Sequence, residues 1–302
     1  MSAENNINFS PAQSSTDQSK IRQLAEQALH RPVSDIRPLG GYISYNYLVN
    51  QDTIFKLASS RSNLSDWYRL AANAPIIQQH LSVQIPIPAL HFLNDNGKII
   101  PALSYQQLPG QPISRRDFAT RPEAFKQSFF EQVTDCIHQL HQIPPEILPV
   151  KPPNAFEESA CKLFRDKKSQ VRFAKIAKYF FLNHVSPTVL LHADLHTENI
   201  CFDGKKIVGL LDFDTLCTGH PSFEFRPMLY QKPEDLQKLV HCYSQRYPSE
   251  LDPALSRNFI KKFNMIFKLF WLINYLKPQN AKRTTFEQIV QTHIQQEKRN
   301  RS

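Results

Sequence analysis

Hydrophobic and polar positions divide this chain into a strand-rich first third and a helical remainder. Apolar residues from Ile21 to Leu29 recur at helical spacing, and Pro32 ends that predicted helix. Three short apolar or alternating runs follow, with Gly40-Gly41 and Asn50-Gln51-Asp52 as turns between them; they cover residues 36–39, 45–49 and 53–57. Such runs, separated by short turns, predict an antiparallel three-stranded start.

Helical patterns dominate the rest of the chain. From Pro122 onward, apolar side chains recur every three or four residues until the segment HQIPP, which predicts one long helix. His138 and His141 lie three apart on it, and without a third ligand nearby we interpret them as core or solvated residues. Further helical patterns cover residues 156–182, 236–247 and 259–276. The last is aromatic and most readily forms core, although Trp271 and Tyr275 are candidates for lining an acceptor pocket.

A hairpin pattern late in the chain carries polar side chains at its ends. Residues 199–202 and 206–211 are apolar runs joined by Asp203-Gly204, with HADLHTEN at 192–199 before them and LLDFD at 210–214 closing the second run. Asp194 and Asn199 therefore flank the loop before the hairpin, and Asp212 lies at its exit. A hairpin returns the chain to its starting point, so we expect the three side chains to converge. That arrangement suits a divalent cation and a hydroxyl nucleophile.

The amino-acid composition favours an ordinary globular protein over a disulfide-rich or membrane protein. The chain has 302 residues, 41% hydrophobic and 21% charged, which is typical of one large globular domain or two lobes. Its five cysteines are scattered without a C-x-x-C pair, which argues against a disulfide framework or a thiolate zinc site. The polar N-terminus does not resemble a signal peptide, and no apolar run reaches the length of a membrane span. We therefore expect a soluble, cytoplasmic protein that does not interact with a membrane.

The net charge of +9 raises the question of a nucleic-acid partner. The lysines and arginines are spread along the chain, and no RNA- or DNA-binding motif accompanies them, so no nucleic-acid partner is expected. A positive field would in any case help to attract an anionic nucleotide. The oligomeric state stays open.

The residue order in HADLHTEN is that of a kinase catalytic loop, H-x-D-x-x-x-x-N followed by an Asp at the end of a hairpin. It resembles the loop HGDLHxxN and the metal motif DFD or DFG of the aminoglycoside phosphotransferase and choline kinase superfamily. Ala193 in place of Gly is the one departure inside the loop. The resemblance implies a two-lobed, protein-kinase-like α+β fold. The expected parts are a disordered tail at 1–17, an antiparallel N-lobe at 18–108 and a mainly helical C-lobe at 109–302.

The resemblance also implies roles for the loop residues. Asp194 would be the base that accepts the proton of an acceptor hydroxyl, while Asn199 and Asp212 would bind Mg²⁺ beside ATP. His192 would orient the loop, and His196 would pack or form hydrogen bonds near it. Asp214 and Glu224 would have supporting roles; Glu224 stands at the position of a family acid that ties the catalytic loop together.

Candidate nucleotide contacts lie in the N-lobe. Lys56, in TIFKLA, is flanked by apolar residues, and it fits either a lysine that neutralises phosphate oxygens or an edge-strand lysine with its head in water. The glycine pair in PLGGYISYN is common turn chemistry, but the resemblance implies a loop that covers the nucleotide. The residues placed against the nucleotide by resemblance are Gly41, Ser44 and Asn46 in this loop, and Gln106 and Leu108 in the hinge-like SYQQLPG, where a plain β-turn is the alternative.

A departure from the kinase pattern leaves alternatives open. Kinases hold the phosphate-binding lysine with a Glu on the following helix, but no carboxylate occurs from Trp67 to Asn94. Either Asp66 substitutes for it, or the phosphates alone hold Lys56.

The main prediction is ATP-dependent transfer to a small-molecule hydroxyl on an aminoglycoside-, choline- or sugar-like acceptor. The rival is a nucleotide-binding pseudokinase that regulates a protein partner, and phosphorylation of protein side chains ranks last.

A cationic acceptor would need an acidic pocket. The C-lobe acids that are candidates for forming it are Glu157, Glu158, Glu224, Glu234 and Asp235. Whether these side chains converge is not determined by the sequence.

Overall fold

The computed structural model describes most of the first half of the chain and parts of the second. The described residues are 16–40, 44–59, 62–150, 171, 188–225 and 233–248. Gly41 and the helical patterns predicted at 156–182 and 259–276 lie outside these ranges, as does most of the predicted N-terminal tail. Helix α1 (Thr16–Leu29) begins before the predicted end of that tail.

The first part of the chain folds around an antiparallel five-stranded sheet. Its spatial order is β1-β2-β3-β5-β4, with β1 at Ile36–Gly40, β2 at Ser44–Val49, β3 at Thr53–Ala58, β4 at Ala89–Asp95 and β5 at Lys98–Gln106. The three strands expected from the sequence are confirmed, and two further strands extend the sheet. Helix α2 (Leu64–Gln78) follows β3, and the Asn63 side chain caps its N-terminus by accepting the backbone N–H of Ser65.

Helix α1 supplies the apolar face that covers this sheet. Its buried residues Leu24, Ala25 and Ala28 belong to one cluster with Phe55 of β3 and Ile100 of β5. The helical spacing seen in the sequence therefore places one stripe of α1 against the sheet. This packing fixes β3 in the interior of the sheet, where it pairs with β2 on one side and β5 on the other.

The hairpin that carries Asp212 is anchored on the first part of the chain. Strands β8 (Ile200–Phe202) and β9 (Ile207–Leu210) pair antiparallel. The backbone of Gln84 donates to the carbonyl of Val208 at 3.0 Å, and its own carbonyl accepts from the N–H of Leu210 at 2.9 Å. A Cβ on Gly209 would lie 3.2 Å from the Gln84 carbonyl oxygen, so glycine permits this close approach.

The described chain accordingly forms two compact units. The first comprises residues 1–111 with 200–214, and the second comprises 112–199 with 215–302. The expected division after residue 108 lies three residues before the end of the first segment at Gln111, and it assigned the 200–214 hairpin to the C-lobe. The physical reason is the backbone pairing with Gln84, which attaches the hairpin to the segment between α2 and β4.

The second unit is mainly helical where it is described. A two-residue strand β6 (Gln111–Pro112) lies at the junction between the units, and the elements that follow are α3 (Arg115–Thr120), α4 (Glu123–His141), β7 (Val189–Leu191), β10 (Cys217–Gly219) and α5 (Pro233–Arg246). Strands β7 and β10 pair antiparallel. Between α4 and α5, the buried Lys126 ammonium lies 3.3 Å from the buried Asp235 carboxylate. Among the described residues, no helix is both long and apolar enough to cross a membrane.

Candidate active site

One buried carboxylate accepts hydrogen bonds from the backbone of the 192–199 loop. Glu224, only 1% exposed, accepts the backbone N–H groups of His192 at 2.8 Å and Ala193 at 3.2 Å. The Thr215 hydroxyl donates to the His192 carbonyl at 2.7 Å. Ala193 has a φ of 62°, in the left-handed region where glycine is preferred. These contacts match the structural role expected for Glu224 and show why the family's glycine position is conformationally special.

Further buried polar side chains lie next to Glu224. The Nε2 atom of His141 is 3.9 Å from the Glu224 carboxylate, and its Nδ1 is 2.8 Å from the Tyr243 hydroxyl. His138, one turn earlier on α4, stacks on Tyr247 with ring centroids 3.7 Å apart. Both histidines thus have packing or hydrogen-bonding roles, as interpreted from the sequence. Among the described residues, no group of three His, Cys, Asp or Glu side chains forms a metal cluster.

Asp194 projects from this fixed loop with its side chain 34% exposed. Its backbone N–H donates to Nδ1 of His192 at 3.2 Å, which gives His192 an orienting contact. The side-chain nitrogen of Asn199 donates to the Asp194 carbonyl at 2.9 Å and lies 3.5 Å from its carboxylate oxygen Oδ2. The predicted base and one predicted metal ligand are therefore direct neighbours within the second unit.

His196 lies beside both of these residues. Its Nε2 is 3.2 Å from the side-chain nitrogen of Asn199 and 3.8 Å from the Asp194 carboxylate. Burial lowers the pKa of His196, while the Asp194 carboxylate acts in the opposite direction. On the other side of the ring, Glu198 lies 3.8 Å from Nδ1, and Glu198 itself is 3.2 Å from the guanidinium Nε of Arg115.

A separate group of charged residues, the Lys56 cluster, lies in the first unit and consists of Lys56, Tyr105, Asp212 and Asp214. Burial by itself lowers the pKa of Lys56, but Tyr105, Asp214 and Asp212 together raise it above its ordinary value. Burial raises the pKa of Tyr105, so its phenol is neutral near pH 7 and the two carboxylates supply the negative charge. Lys56 is consequently a stable cation held near the end of the hairpin.

The position of Lys56 bears on whether it is an edge-strand lysine and on whether Asp66 is its partner. Its strand β3 is paired on both sides, so the interpretation as an edge-strand lysine is wrong. Its ammonium is 5.6 Å from the centroid of the Tyr105 ring. Asp66, proposed as a substitute for the missing Glu, forms an ion pair with Arg69 on α2. The charges that act on Lys56 come instead from the Lys56 cluster.

Asp212 ends the hairpin in an unusual backbone conformation. It is exposed, has a φ of 61°, and follows β9 immediately before a short 3₁₀ turn at Phe213–Thr215. Phe213 is buried and anchors that turn. The expected placement of Asp212 just beyond the second strand of the hairpin is observed.

The remaining predicted nucleotide contacts also belong to the first unit. The Ser44 hydroxyl donates to the side-chain oxygen of Asn46 at 2.8 Å, and Asn46 pairs with Lys56 across β2 and β3. Gln106 is exposed at the end of β5, and Leu108 is buried against Gly209 of the hairpin. The structure thus brings Asn46 to Lys56, whereas Gly41 lies outside the described residues.

Sequence reasoning missed Tyr105, Glu198 and Arg115 as neighbours of the predicted site residues. The sequence carried no signal for Tyr105 as a neighbour of Lys56, because the contact depends on the β3–β5 register, in which Lys56 pairs with Leu103 and Ile54 with Tyr105. Diagonal neighbours on one face of a sheet can interact, which places Tyr105 within reach of Lys56. The register itself, however, was not predictable from one sequence.

The antiparallel sheet, the helical second unit and the H-x-D-x-x-x-x-N loop define a protein-kinase-like phosphotransferase fold. The family model described as "Phosphotransferase enzyme family" matches residues 35–259, about three quarters of the chain. The chain therefore belongs to the phosphotransferase enzyme family.

The curated relatives that the chain matches are homoserine kinases. A homoserine kinase of Pseudomonas aeruginosa is 37% identical over 71 residues, covering 24% of this chain and 19% of that protein. The chain thus spans about a fifth of the length of the curated relatives it matches.

Solved structures of antibiotic phosphotransferases share the fold. The GDP complex of wild-type aminoglycoside 2'-phosphotransferase-IIIa aligns with a TM-score of 0.68 at 15% identity, covering 95% of this chain and 100% of that one. ADP-bound aminoglycoside phosphotransferase APH(2'')-Ib aligns with a TM-score of 0.63 at 17% identity, covering 90% and 94%. At these identities the likeness is one of fold.

Proposed function

We propose that this protein transfers the γ-phosphate of ATP to a hydroxyl of a small molecule, with Asp194 as the base. The main support for the proposal is that hydrogen bonds fix the backbone of the 192–199 loop around Asp194. Glu224 and Thr215 fix its backbone, the Asn199 amide binds the Asp194 carbonyl, and the Asp194 carboxylate stays partly accessible. A catalytic group held in this way is preorganised for reaction.

The proposed reaction is a direct displacement at phosphorus. The Asp194 carboxylate accepts the proton of the acceptor hydroxyl as that oxygen forms a bond to the γ-phosphorus. The bond from phosphorus to the bridging oxygen breaks, and the nucleoside diphosphate leaves with that electron pair. Positioned proton transfer of this kind generally contributes about 10²–10⁴ in rate.

The proposed Mg²⁺ ligands have suitable donor atoms. The Asn199 nitrogen is committed to the Asp194 carbonyl, which leaves the amide oxygen as its metal-binding atom. Asp212 offers an exposed carboxylate at the end of the hairpin. Bound Mg²⁺ supplies charge neutralisation for the phosphates, and hard oxygen ligands suit it. Because the two residues belong to different units, their joint assignment rests on the order of the motif.

The proposed nucleotide contacts centre on Lys56. A half-buried lysine cation beside two carboxylates is suited to neutralising phosphate oxygens when Asp212 holds the metal. Gly41, Ser44 and Asn46 are proposed to cover the phosphates, and Gln106 and Leu108 to meet the base. ADP and GDP complexes both occur among proteins of similar fold, so ATP and GTP are both to be tested.

The acceptor is proposed to be a hydroxylated metabolite or antibiotic of the aminoglycoside, choline or sugar type, used in the cytoplasm. Two of the acids considered for a cationic acceptor are engaged inside the second unit. Glu224 binds loop backbone, and Asp235 pairs with Lys126. A homoserine kinase among the relatives adds an amino-alcohol to the acceptors worth testing.

A purified-protein assay tests the proposal. The protein is incubated with Mg-ATP or Mg-GTP and a panel of aminoglycosides, choline, homoserine and sugars, and release of nucleoside diphosphate is followed with mass spectrometry of the acceptor. We expect acceptor-dependent release and a phosphorylated product for at least one class. Calorimetric binding of Mg-nucleotide without transfer to any acceptor would favour the pseudokinase, which is motivated by the pairing of Asp66 with Arg69 rather than Lys56.

A further inference from the structure

The orientation of the Asn199 side chain is fixed by its neighbours. The Asp194 carbonyl oxygen can only accept a hydrogen bond, so the Asn199 side-chain atom 2.9 Å away must be the NH₂ group. The same nitrogen lies 3.2 Å from Nε2 of His196. An NH₂ group has two protons, and these two acceptors, with the Asp194 carboxylate oxygen Oδ2 farther away at 3.5 Å, account for both. The amide oxygen is then the atom that remains to bind a cation.

This arrangement also specifies the tautomer of His196. Because Nε2 faces an N–H donor, it must be the unprotonated nitrogen, and the ring proton must be on Nδ1. Nδ1 is buried and has no hydrogen-bond partner among the described residues. The nearest carboxylate is that of Glu198, with Oε2 at 3.8 Å, a distance for electrostatic attraction rather than a hydrogen bond.

Glu198 is itself restrained from the outside. The Nε atom of Arg115, at the start of α3, lies 3.2 Å from the same Glu198 oxygen that faces His196. The pair is partly exposed, with side-chain exposures of 35% for Arg115 and 45% for Glu198. Its contribution to stability is therefore small, and what it provides is a negative charge on the Nδ1 side of the His196 ring.

We propose that His196 is a positioning residue that holds the Asn199 amide with its oxygen turned toward the divalent cation. Glu198, restrained by Arg115, favours the tautomer with the proton on Nδ1. Partners that orient metal ligands in this way typically affect metal affinity about 10–100-fold. The inference rests on the proposed function, because it assumes that Asn199 binds the cation of a metal–nucleotide complex.

The test measures metal affinity directly. Mn²⁺ binding in the presence of saturating ADP is determined by electron paramagnetic resonance for the wild type, His196→Leu and His196→Gln. We expect leucine to weaken Mn²⁺ binding about 10–100-fold and glutamine, whose carbonyl can accept the same N–H, to stay within about threefold. ADP affinity measured in EDTA should be unchanged in both variants. His241→Leu, at an exposed position on α5, is the matched control.

The outcomes separate the two proposals. Wild-type protein that binds no Mn²⁺ with ADP overturns both the proposed function and this inference. Wild-type binding with unchanged affinity in His196→Leu, or equal loss in leucine and glutamine variants, overturns the inference alone. Should the leucine variant not fold, Glu198→Gln takes its place: about threefold weaker Mn²⁺ binding is expected, and unchanged affinity contradicts the role of Glu198.

Discussion

The 192–199 loop and the Lys56 cluster are held in place by different kinds of interaction. In the loop, the Glu224 carboxylate accepts from backbone N–H groups, and the side chains of Thr215 and Asn199 donate to backbone carbonyls, at distances of 2.7–3.2 Å. In the Lys56 cluster, Tyr105 and the carboxylates of Asp214 and Asp212 together raise the pKa of the Lys56 ammonium and so favour its charged form. One region is held by directional bonds and the other by charge.

Substitutions in the two regions should therefore affect different properties of the protein. Directional contacts to a buried backbone contribute to folding before any substrate arrives, so their loss should appear in the free energy of unfolding. Charges that balance one another can exchange partners with phosphates and a metal, so their loss should appear in nucleotide and metal binding. Substitutions in the two regions should therefore separate effects on binding from effects on stability.

Asp212→Asn removes the carboxylate proposed to bind the metal. Metal charge stabilisation is worth several kcal/mol in a transition state, so we expect the transfer rate to fall at least about 100-fold with little change in unfolding. Steady-state kinetics across a Mg²⁺ titration measures this. The control is Asp203→Asn in the turn of the same hairpin, where the amide oxygen can still accept the backbone N–H groups of Lys205 and Lys206. Equal loss in both variants would contradict the assignment.

Lys56→Met keeps the side chain's length and removes its charge. Charged hydrogen bonds are worth about 1.5–3 kcal/mol, so nucleotide affinity should fall about 10–100-fold. Titration with ADP in EDTA measures the effect without the metal. Lys205→Met, on the hairpin turn, should bind ADP like the wild type. Undiminished ADP binding by the Lys56 variant would remove Lys56 from the phosphate site.

Glu224→Gln should mainly reduce stability. The substitution places an NH₂ group where a carboxylate oxygen now accepts one of two buried backbone N–H groups. We expect unfolding to become easier by about 2–3 kcal/mol in urea, with nucleotide affinity in the surviving folded protein preserved. Glu234→Gln, exposed on α5, is the control. A large loss of ADP affinity with unchanged stability would invert the comparison between the two regions.

Ala193→Gly should have the smallest effect. Relief of about 1 kcal/mol of left-handed strain offsets the entropy that glycine gains in the unfolded chain, so stability should change by less than about 1 kcal/mol. Ala74→Gly, at a fully buried helical position, should instead cost about 1 kcal/mol or more. Urea unfolding of both variants measures the contrast, and equal destabilisation would argue against a positive φ at Ala193.

Local patterns predicted the elements that frame the site. The three first strands, helix α4 and the hairpin ending before Asp212 followed from apolar spacing and turn residues. The protein-kinase-like α+β fold is confirmed by the family match and by the solved structures. Periodicity succeeds here because each element buries one face or one stripe.

Contacts made by backbone atoms, or between distant residues, were not predictable. Gln84 joins the hairpin through its N–H and C=O groups, which leave no side-chain signature. The His141 and Tyr243 hydrogen bond joins positions 102 residues apart. The Lys56 cluster likewise depends on strand register, which a single sequence does not specify.

The central claim is that Asp194 acts as the base in phosphoryl transfer, and Asp194→Asn tests it most directly. The variant keeps the shape of the side chain, so Mg-nucleotide binding by calorimetry should match the wild type. Single-turnover transfer to the best acceptor should fall about 10²–10⁴-fold. Transfer at the wild-type rate with intact nucleotide binding would contradict the account.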